Sequence, residues 1–380
     1  MHVFPIASGK GGVGKSILAA NLAIALAQNG KRTVVADLDL GGSNLHLILG
    51  MRNIAHGLGT FLTEGGKDLN EVVTPTDHPN LWFIPGDAEI PGLANLTSTQ
   101  KRMLIRRLGN LEADFLILDL GAGTSLNTLD FFLISRTGVI VTSPTPTSTV
   151  NAYLFLKNAM FRLIQNACKK KSPGDRYLQT LRKSSDDLRH IHVPEIVRRI
   201  AEVDPDSYAK LRASLERFEP RIVLNMLEDP KDAEKAHRLR RSCRQYLELD
   251  LEHLGVIYRD DLQDIALASA LPIIRYKPEA VISQAFYRIA DKLLELDAEP
   301  EGPLSVDSIE ESYEEADMEA SADFDAKQSY VEELLHSGTL TTGDLIETIK
   351  NQQIEIRHLR KENMLYKSKL IKAMQQGFRT

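Results

Sequence analysis

The chain has 380 residues, 43% of them hydrophobic, and a formal net charge of −6. That length holds one large α/β domain with additions, and the mild acidity argues against a molecule that binds polyanions through its overall charge. Two cysteines, Cys168 and Cys243, stand far apart with no C-x-x-C pair, which argues against a disulfide framework, a zinc site or an iron–sulfur cluster and suits a reducing cytoplasm.

In chain order, no signal peptide precedes the first apolar run, Val3-Phe4-Pro5-Ile6-Ala7, and no stretch is apolar for long enough to span a bilayer. The expected location is cytoplasmic. The run reads as a strand. Gly9-Lys10-Gly11-Gly12-Val13-Gly14-Lys15-Ser16 follows it, and a helical pattern runs from Ile17 to Gln28. Strand, glycine-rich loop and helix in this order, spaced G-x-x-x-x-G-K-S, form a P-loop. Gly11, Gly12, Val13, Gly14, Lys15, Ser16 and Ile17 are expected to wrap the phosphates of a nucleotide at the positive end of the helix. Lys15 is expected to reach the β- and γ-phosphates, and the Ser16 hydroxyl to ligate Mg²⁺.

Residues 33–36 read as a strand buried on both faces, leading into Asp37-Leu38-Asp39. Further strands are expected at 81–84, at 115–118 before Asp119, at 139–142, at 222–225 and at 254–257. Helical stretches between them predict an α/β P-loop NTPase: a doubly wound, mostly parallel sheet with helices on both faces. Ligands of such sheets sit at the carboxyl ends of the strands, which puts Asp37, Asp39 and Asp119 near the P-loop. Asp119 is placed to hold the Mg²⁺ water shell, with Asp37 supporting it. Gly123 is expected to bring a backbone N–H to the γ-phosphate. Asp39 is the candidate for orienting an attacking water, while His46 reads as a surface or packing residue. Asn225 carries an amide, the group able to pair with both the donor and the acceptor of adenine's edge.

Residues 166–220 break the rhythm, with Lys169-Lys170-Lys171 and helices expected at about 176–190 and 194–218. This helical insertion reads either as a flap packed on the core or as a docking surface for a protein partner. From Glu299 to Asp325 there are eleven acidic residues and no basic one. That predicts a disordered acidic linker over 298–326, after an ATPase domain of 1–297. A helical tail is expected at 327–380. In it Ile349, Ile356, Asn363 and Leu370 recur every seven residues, with Leu345, Gln352, Leu359, Tyr366 and Ala373 in the complementary positions. The pattern predicts a coiled coil from about 343, homotypic or with a partner. Leu370, Ile371, Met374 and Phe378, beside Lys367, Lys369, Lys372 and Arg379, offer a competing peripheral membrane contact at its end.

Lys10 stands where an ordinary P-loop has no fixed cation, and K-G-G-x-G-K-[ST] resembles the deviant loop of the MinD/ParA family of ATPases. The resemblance covers residues 1 to about 296. It implies ATP bound with Mg²⁺ and hydrolysed, with Lys10, Lys15 and Asp39 serving catalysis and Asn225 reading adenine. It further implies that Lys10 crosses to the nucleotide of a second subunit, so that the ATP-bound form is a homodimer. Within the family, several stretches resemble the flagellar-number regulators of the FlhG/FleN type. These are Asp39-Leu40-Gly41 with Asn44 and Gly50, Leu93-Ala94-Asn95-Leu96, Asp119 through Ser125, and Pro144-Thr145-Pro146-Thr147-Ser148 with Asn151-Ala152-Tyr153. They imply a dimerisation switch that positions or limits a cellular structure at a pole, recruited to the inner face of the membrane. Two alternatives stay open. One is a ParA-like partitioning ATPase that rides on DNA through Arg238, Arg240, Arg241 and Arg244, nucleic acid being the less favoured partner. The other is a nucleotide-bound coiled-coil scaffold without turnover.

Overall fold

A computed structural model describes residues 1–51, 56–63, 68–86, 96–183, 192–298 and 306–336, with six single helical positions between 350 and 366. The seam expected from about 343, and Leu93-Ala94-Asn95, otherwise lie outside the described residues. The chain divides into a unit of residues 1–324 and one of residues 325–380.

The first unit opens with β1 (His2–Ala7), α1 (Lys15–Gln28), β2 (Thr33–Leu38), α2 (Leu45–Ile48), α3 (Leu58–Thr63), β3 (Thr74–Pro75) and β4 (Leu81–Ile84). Next come α4 (Ser98–Leu108), β5 (Phe115–Leu120), α5 (Leu126–Phe132), β6 (Val139–Thr142) and α6 (Pro146–Ala167). The insertion follows as α7 (Pro173–Lys183), α8 (Val193–Val203) and α9 (Pro205–Leu215). The unit closes with β7 (Arg221–Leu227), α10 (Glu234–Leu247), β8 (Glu252–Tyr258), α11 (Leu262–Ala268), α12 (Ile273–Tyr276), α13 (Val281–Ala298) and the first part of α14 (Val306–His336).

The strands form one sheet in the order β3-β4-β2-β5-β1-β6-β7-β8. Every pairing is parallel except that of β3 with β4. Every residue of β2 and β5 is buried, because helices cover both faces of the sheet. One core packs beneath α4, α5, α6, α10 and the insertion, the other beneath α1 and α13. The expected doubly wound architecture is the one observed. Alanine-rich α1 lies within the second core, with Leu18, Leu22, Ile24 and Leu26 fully buried. Burying each such side chain contributes about 1.5–3 kcal/mol. The helix also carries one buried polar tie, in which the Ile274 N–H donates to Asn21 Oδ1 at 3.2 Å.

The insertion packs on the first core through Val193, Ile196, Ile200 and Leu211. Its second expected helix is broken in two at Asp204, before Pro205, whose ring and missing N–H stop a helix from running through. The Asp204 carboxylate accepts the Gly174 N–H at 3.1 Å and the Ser207 hydroxyl at 2.8 Å. Hydrogen bonds from Ser172, Ser207 and Gly174 hold its pKa down to about 2.

The acidic segment departs most from expectation. The disordered linker over 298–326 is not what forms there: from Val306 onward the chain is helical, and the first unit runs to Phe324 rather than to 297. The physical reason is an apolar stripe at helical spacing. Ile309, Tyr313, Ala316 and Ala320 are all at most 1% exposed and lie on one face of α14. The acidic residues beside the stripe meet basic side chains from two other helices. Asp323 pairs with Arg288 at 2.5 Å and Glu319 with Lys292 at 2.8 Å, both on α13. Asp317 meets His237 on α10 at 2.9 Å. The helix thereby covers β8, the edge strand, whose His253 N–H donates to Ser312 Oγ at 3.1 Å. An uncovered edge is a site for unwanted strand pairing.

Candidate nucleotide site

The loop between β1 and α1 turns on glycine. Gly12 and Gly14 hold φ values of +80° and +83°, a left-handed conformation that costs residues with a Cβ about 1–2 kcal/mol. Contact also forbids a side chain at two places. A Cβ on Gly14 would lie 2.2 Å from Asn225 Nδ2, and one on Gly9 would lie 2.1 Å from the Asn151 carbonyl oxygen. At Gly11, Gly12 and Gly123 a Cβ would meet nothing within 4 Å, so these three face open space.

At the start of α1, the Lys15 ammonium lies 2.5 Å from Asp119 Oδ1 and 3.4 Å from Ser16 Oγ. Lys15 is 7% exposed and Asp119 1%. The expected gathering of Lys15, Ser16 and Asp119 is present. Register explains how Asp37 joins them, because Asp37 of β2 is paired directly with Asp119 of β5. Burial pushes the Asp119 pKa up, against the pull of Lys15. Burial and then the charge of Asp119 push Asp37 up to about 6. A lysine, a hydroxyl and two crowded carboxylates below an open glycine cradle fit a phosphate chain with a divalent cation, which would relieve the repulsion between the carboxylates.

Asp37 also has a local task that sequence reading missed. Its Oδ2 accepts the Ser43 hydroxyl at 2.6 Å and the Leu45 N–H at 3.2 Å, and its Oδ1 accepts the Asp39 N–H at 3.0 Å. These bonds hold the loop 39–45 and so place Asp39. The Asp39 side chain is half-buried and reaches the segment after β5, where a Cβ on Gly121 would come within 3.2 Å of Asp39 Oδ1. His46 is half-buried, and its Nδ1 is enclosed without a hydrogen-bond partner among the described residues.

Two groups are engaged differently from the expectation. The Gly123 N–H donates to the Ser8 carbonyl at 3.0 Å and not toward the space above the loop. Ser8, whose hydroxyl donates to the Lys10 carbonyl at 2.9 Å, thus ties the P-loop to the segment after β5. Asn225 donates through Nδ2 to the Val13 carbonyl at 2.8 Å and accepts the Met226 N–H at 2.8 Å. Its amide braces the P-loop here and keeps one N–H to spare. No pattern in the sequence marks Ser8 or Ser43 for these roles. Gly121, which follows the strand that ends at Asp119, carries a clearer signal.

Lys10 is exposed, and among the described residues its ammonium has no ion-pair partner. Of the arginines weighed as a DNA face, Arg238, Arg241 and Arg244 are exposed and Arg240 is turned inward. Arg240 lies 4.9 Å from the Tyr313 ring centre, 13% exposed, and reaches Glu310, whereas Arg238 is exposed beside Glu234. Among the described residues no group of acidic, histidine or cysteine side chains forms a metal cage, and no helix is long and apolar enough to cross a membrane.

Residues 4–273 match the family model described as the CobQ/CobB/MinD/ParA nucleotide-binding domain. The chain is similar to the flagellum site-determining protein YlxH of Helicobacter pylori, 36% identical over 157 residues, which are 40% of this chain and 51% of that protein. It therefore spans about half the length of that relative. It is similar to the antiactivator FleN of Pseudomonas aeruginosa, 27% identical over 49% of this chain and 69% of the relative. The septum site-determining protein MinD of Escherichia coli is 27% identical over 68% of this chain and 98% of its own length. Among solved structures, MinD of Pyrococcus horikoshii complexed with Mg-ADP matches the fold with a TM-score of 0.52 at 20% identity, covering 79% of this chain and 99% of that one.

Proposed function

This chain belongs to the CobQ/CobB/MinD/ParA nucleotide-binding family, and on that premise we propose that it is an ATP-hydrolysing dimerisation switch that positions or limits a cellular structure, flagella at a cell pole being the first candidate. One observation carries the nucleotide reading: Lys15, Ser16 and Asp119 converge within hydrogen-bonding reach beneath three glycines that face open space. The flagellar reading draws on the names of YlxH and FleN.

In the proposed reaction the loop N–H groups of residues 11–17 hold the phosphates of ATP and fix their orientation. Mg²⁺, when bound, would neutralise charge that develops on the phosphate oxygens. Ser16 and Asp119 are the residues to hold it, with Asp37 behind them. Lys15 gives up Asp119 and turns to the β- and γ-phosphates. Asp39, held by the loop that Asp37 anchors, accepts a hydrogen bond from the attacking water and orients it in line. Lys10, whose ammonium has no ion-pair partner among the described residues, reaches the nucleotide of a second copy. Gly123 exchanges the Ser8 carbonyl for a phosphate oxygen, and so reports on the presence of ATP. Asn225 offers its spare N–H to adenine.

The test is equilibrium binding of a fluorescent ATP analogue with Mg²⁺, together with phosphate release. Micromolar-range binding that is lost in Lys15→Ala, with slow turnover that is lost in Asp39→Ala, is the expected result. Unchanged nucleotide affinity in Lys15→Ala would sink the P-loop assignment.

A further inference from the structure

Away from the nucleotide, α6 and α10 lie side by side, and a groove of about 540 Å³ runs between them. One wall carries Val150, Leu154 and Lys157, spaced along a single face of α6. The other carries Arg238, Ser242 and Tyr246, spaced likewise along α10. Val150, Leu154 and Tyr246 are 57%, 42% and 37% exposed. Apolar side chains this exposed and gathered in one concavity mark an interaction surface. The insertion shapes the groove, because the His192 ring stacks on Tyr246 with centroids 5.2 Å apart.

We propose that this groove docks an acidic amphipathic helix of a partner protein. Two neighbouring rows of side chains at i, i+3 or i, i+4 spacing leave a trough about two turns long, the shape into which a third helix lays its apolar face. Lys157 and Arg238 line the groove, and carboxylates flanking the apolar anchors would meet Lys157 and compete with Glu234, on the same helix, for Arg238. An extended strand would find no sheet edge here to pair with. The consequence for turnover rests on the ATPase reading above. The first turns of α6 press on the P-loop, with the Asn151 backbone against Gly9, so a helix seated beside Val150 bears on the nucleotide loop. The docking itself does not depend on that reading.

The probe is a phage-displayed library of helical peptides, selected against the full chain. The affinity of the enriched peptides is then read by fluorescence anisotropy. Peptides with carboxylates beside apolar anchors are expected. Their affinity should fall at least about tenfold in Leu154→Asp and in Arg238→Glu. It should stay unchanged in Ile265→Asp, which alters an equally exposed apolar residue on α11. Enrichment of basic peptides, an empty selection, or affinity that survives Leu154→Asp would overturn the proposal. ATP binding is measured on the same samples. A chain that binds the acidic peptides but no nucleotide keeps the docking site and removes the switch.

Discussion

Lys15 and Asp119 hold each other in a place nearly closed to water, and a charge there is costly unless it is paired. Lys15→Ala therefore has two expected effects. It removes the group proposed to meet the phosphates, so ATP binding is expected to be lost. It also strands the Asp119 carboxylate, so stability to urea falls by about 3 kcal/mol, since breaking a buried pair from one side costs about 3–5 kcal/mol. Isothermal titration checks the first effect and urea unfolding at neutral pH the second. A variant that loses nucleotide with no loss of stability would show the pair to be screened by water. Lys15 was legible in the sequence because a P-loop fixes it by spacing, and Asp119 because it ends a buried apolar strand. Ser8, Ser43 and the loop-bracing bonds of Asn225 were not, because they depend on where three separate strands end relative to one another.

Among the elements, α14 shows how composition misleads. Eleven acidic residues without a base look like a self-repelling coil, yet Ile309, Tyr313, Ala316 and Ala320 recur at helical spacing among them. The stripe was readable; what was not readable is that Arg288, Lys292 and His237 wait on two other helices to meet the acids. Tyr313 decides whether the stripe matters. It is 1% exposed, and its hydroxyl has no hydrogen-bond partner among the described residues. Tyr313→Phe should therefore be neutral or stabilising, because it removes a buried unsatisfied group. Tyr313→Ala should cost about 3–5 kcal/mol, as truncating a large buried aromatic does. Thermal and urea unfolding of both variants check this, and equal losses would place Tyr313 outside the packed core. His253, packed against Tyr313 with centroids 5.1 Å apart, adds a pH dependence. Burial lowers its pKa to about 3, whereas the unfolded chain titrates near 6.5. Below that value the unfolded chain binds a proton that the folded chain refuses. Stability is thus lost as pH falls from about 6.5 toward 3, by about 1.4 kcal/mol per unit. Asp37, raised to about 6, acts in the opposite sense, gaining stability as pH falls through that value. The informative quantity is therefore the difference between the parent chain and His253→Asn, which keeps an acceptor for the Gly255 N–H that now donates to His253 Nδ1 at 3.1 Å. That difference should have the stated slope between pH 6 and 5, and a flat difference would mean that the ring is open to water.

At the scale of the molecule, the position of α14 decides how the proposed switch must be tested. A chain ending near Leu296 would bare β8 and the surface that receives Tyr313. A chain ending at Phe324 keeps the first unit whole. It also leaves out the heptads beyond residue 343, which could pair two chains without any nucleotide. In that 1–324 chain ATP with Mg²⁺ should produce a dimer, seen by light scattering as a doubling of mass that ADP does not cause. Asp39→Ala should make the dimer persist, since loss of the carboxylate proposed to orient water would stop hydrolysis and leave binding intact. Lys10→Ala should abolish it. The last comparison carries the argument. Lys10 is exposed, and among the described residues its ammonium pairs with no acid of its own chain, so its removal costs the isolated unit almost nothing. Any loss of dimer must then come from a contact that the lysine makes outside its own chain. A Lys10→Ala unit that still binds ATP but stays monomeric locates that contact at the second nucleotide. One that dimerises as tightly as the parent would falsify the trans role and leave Lys10 a solvated loop residue.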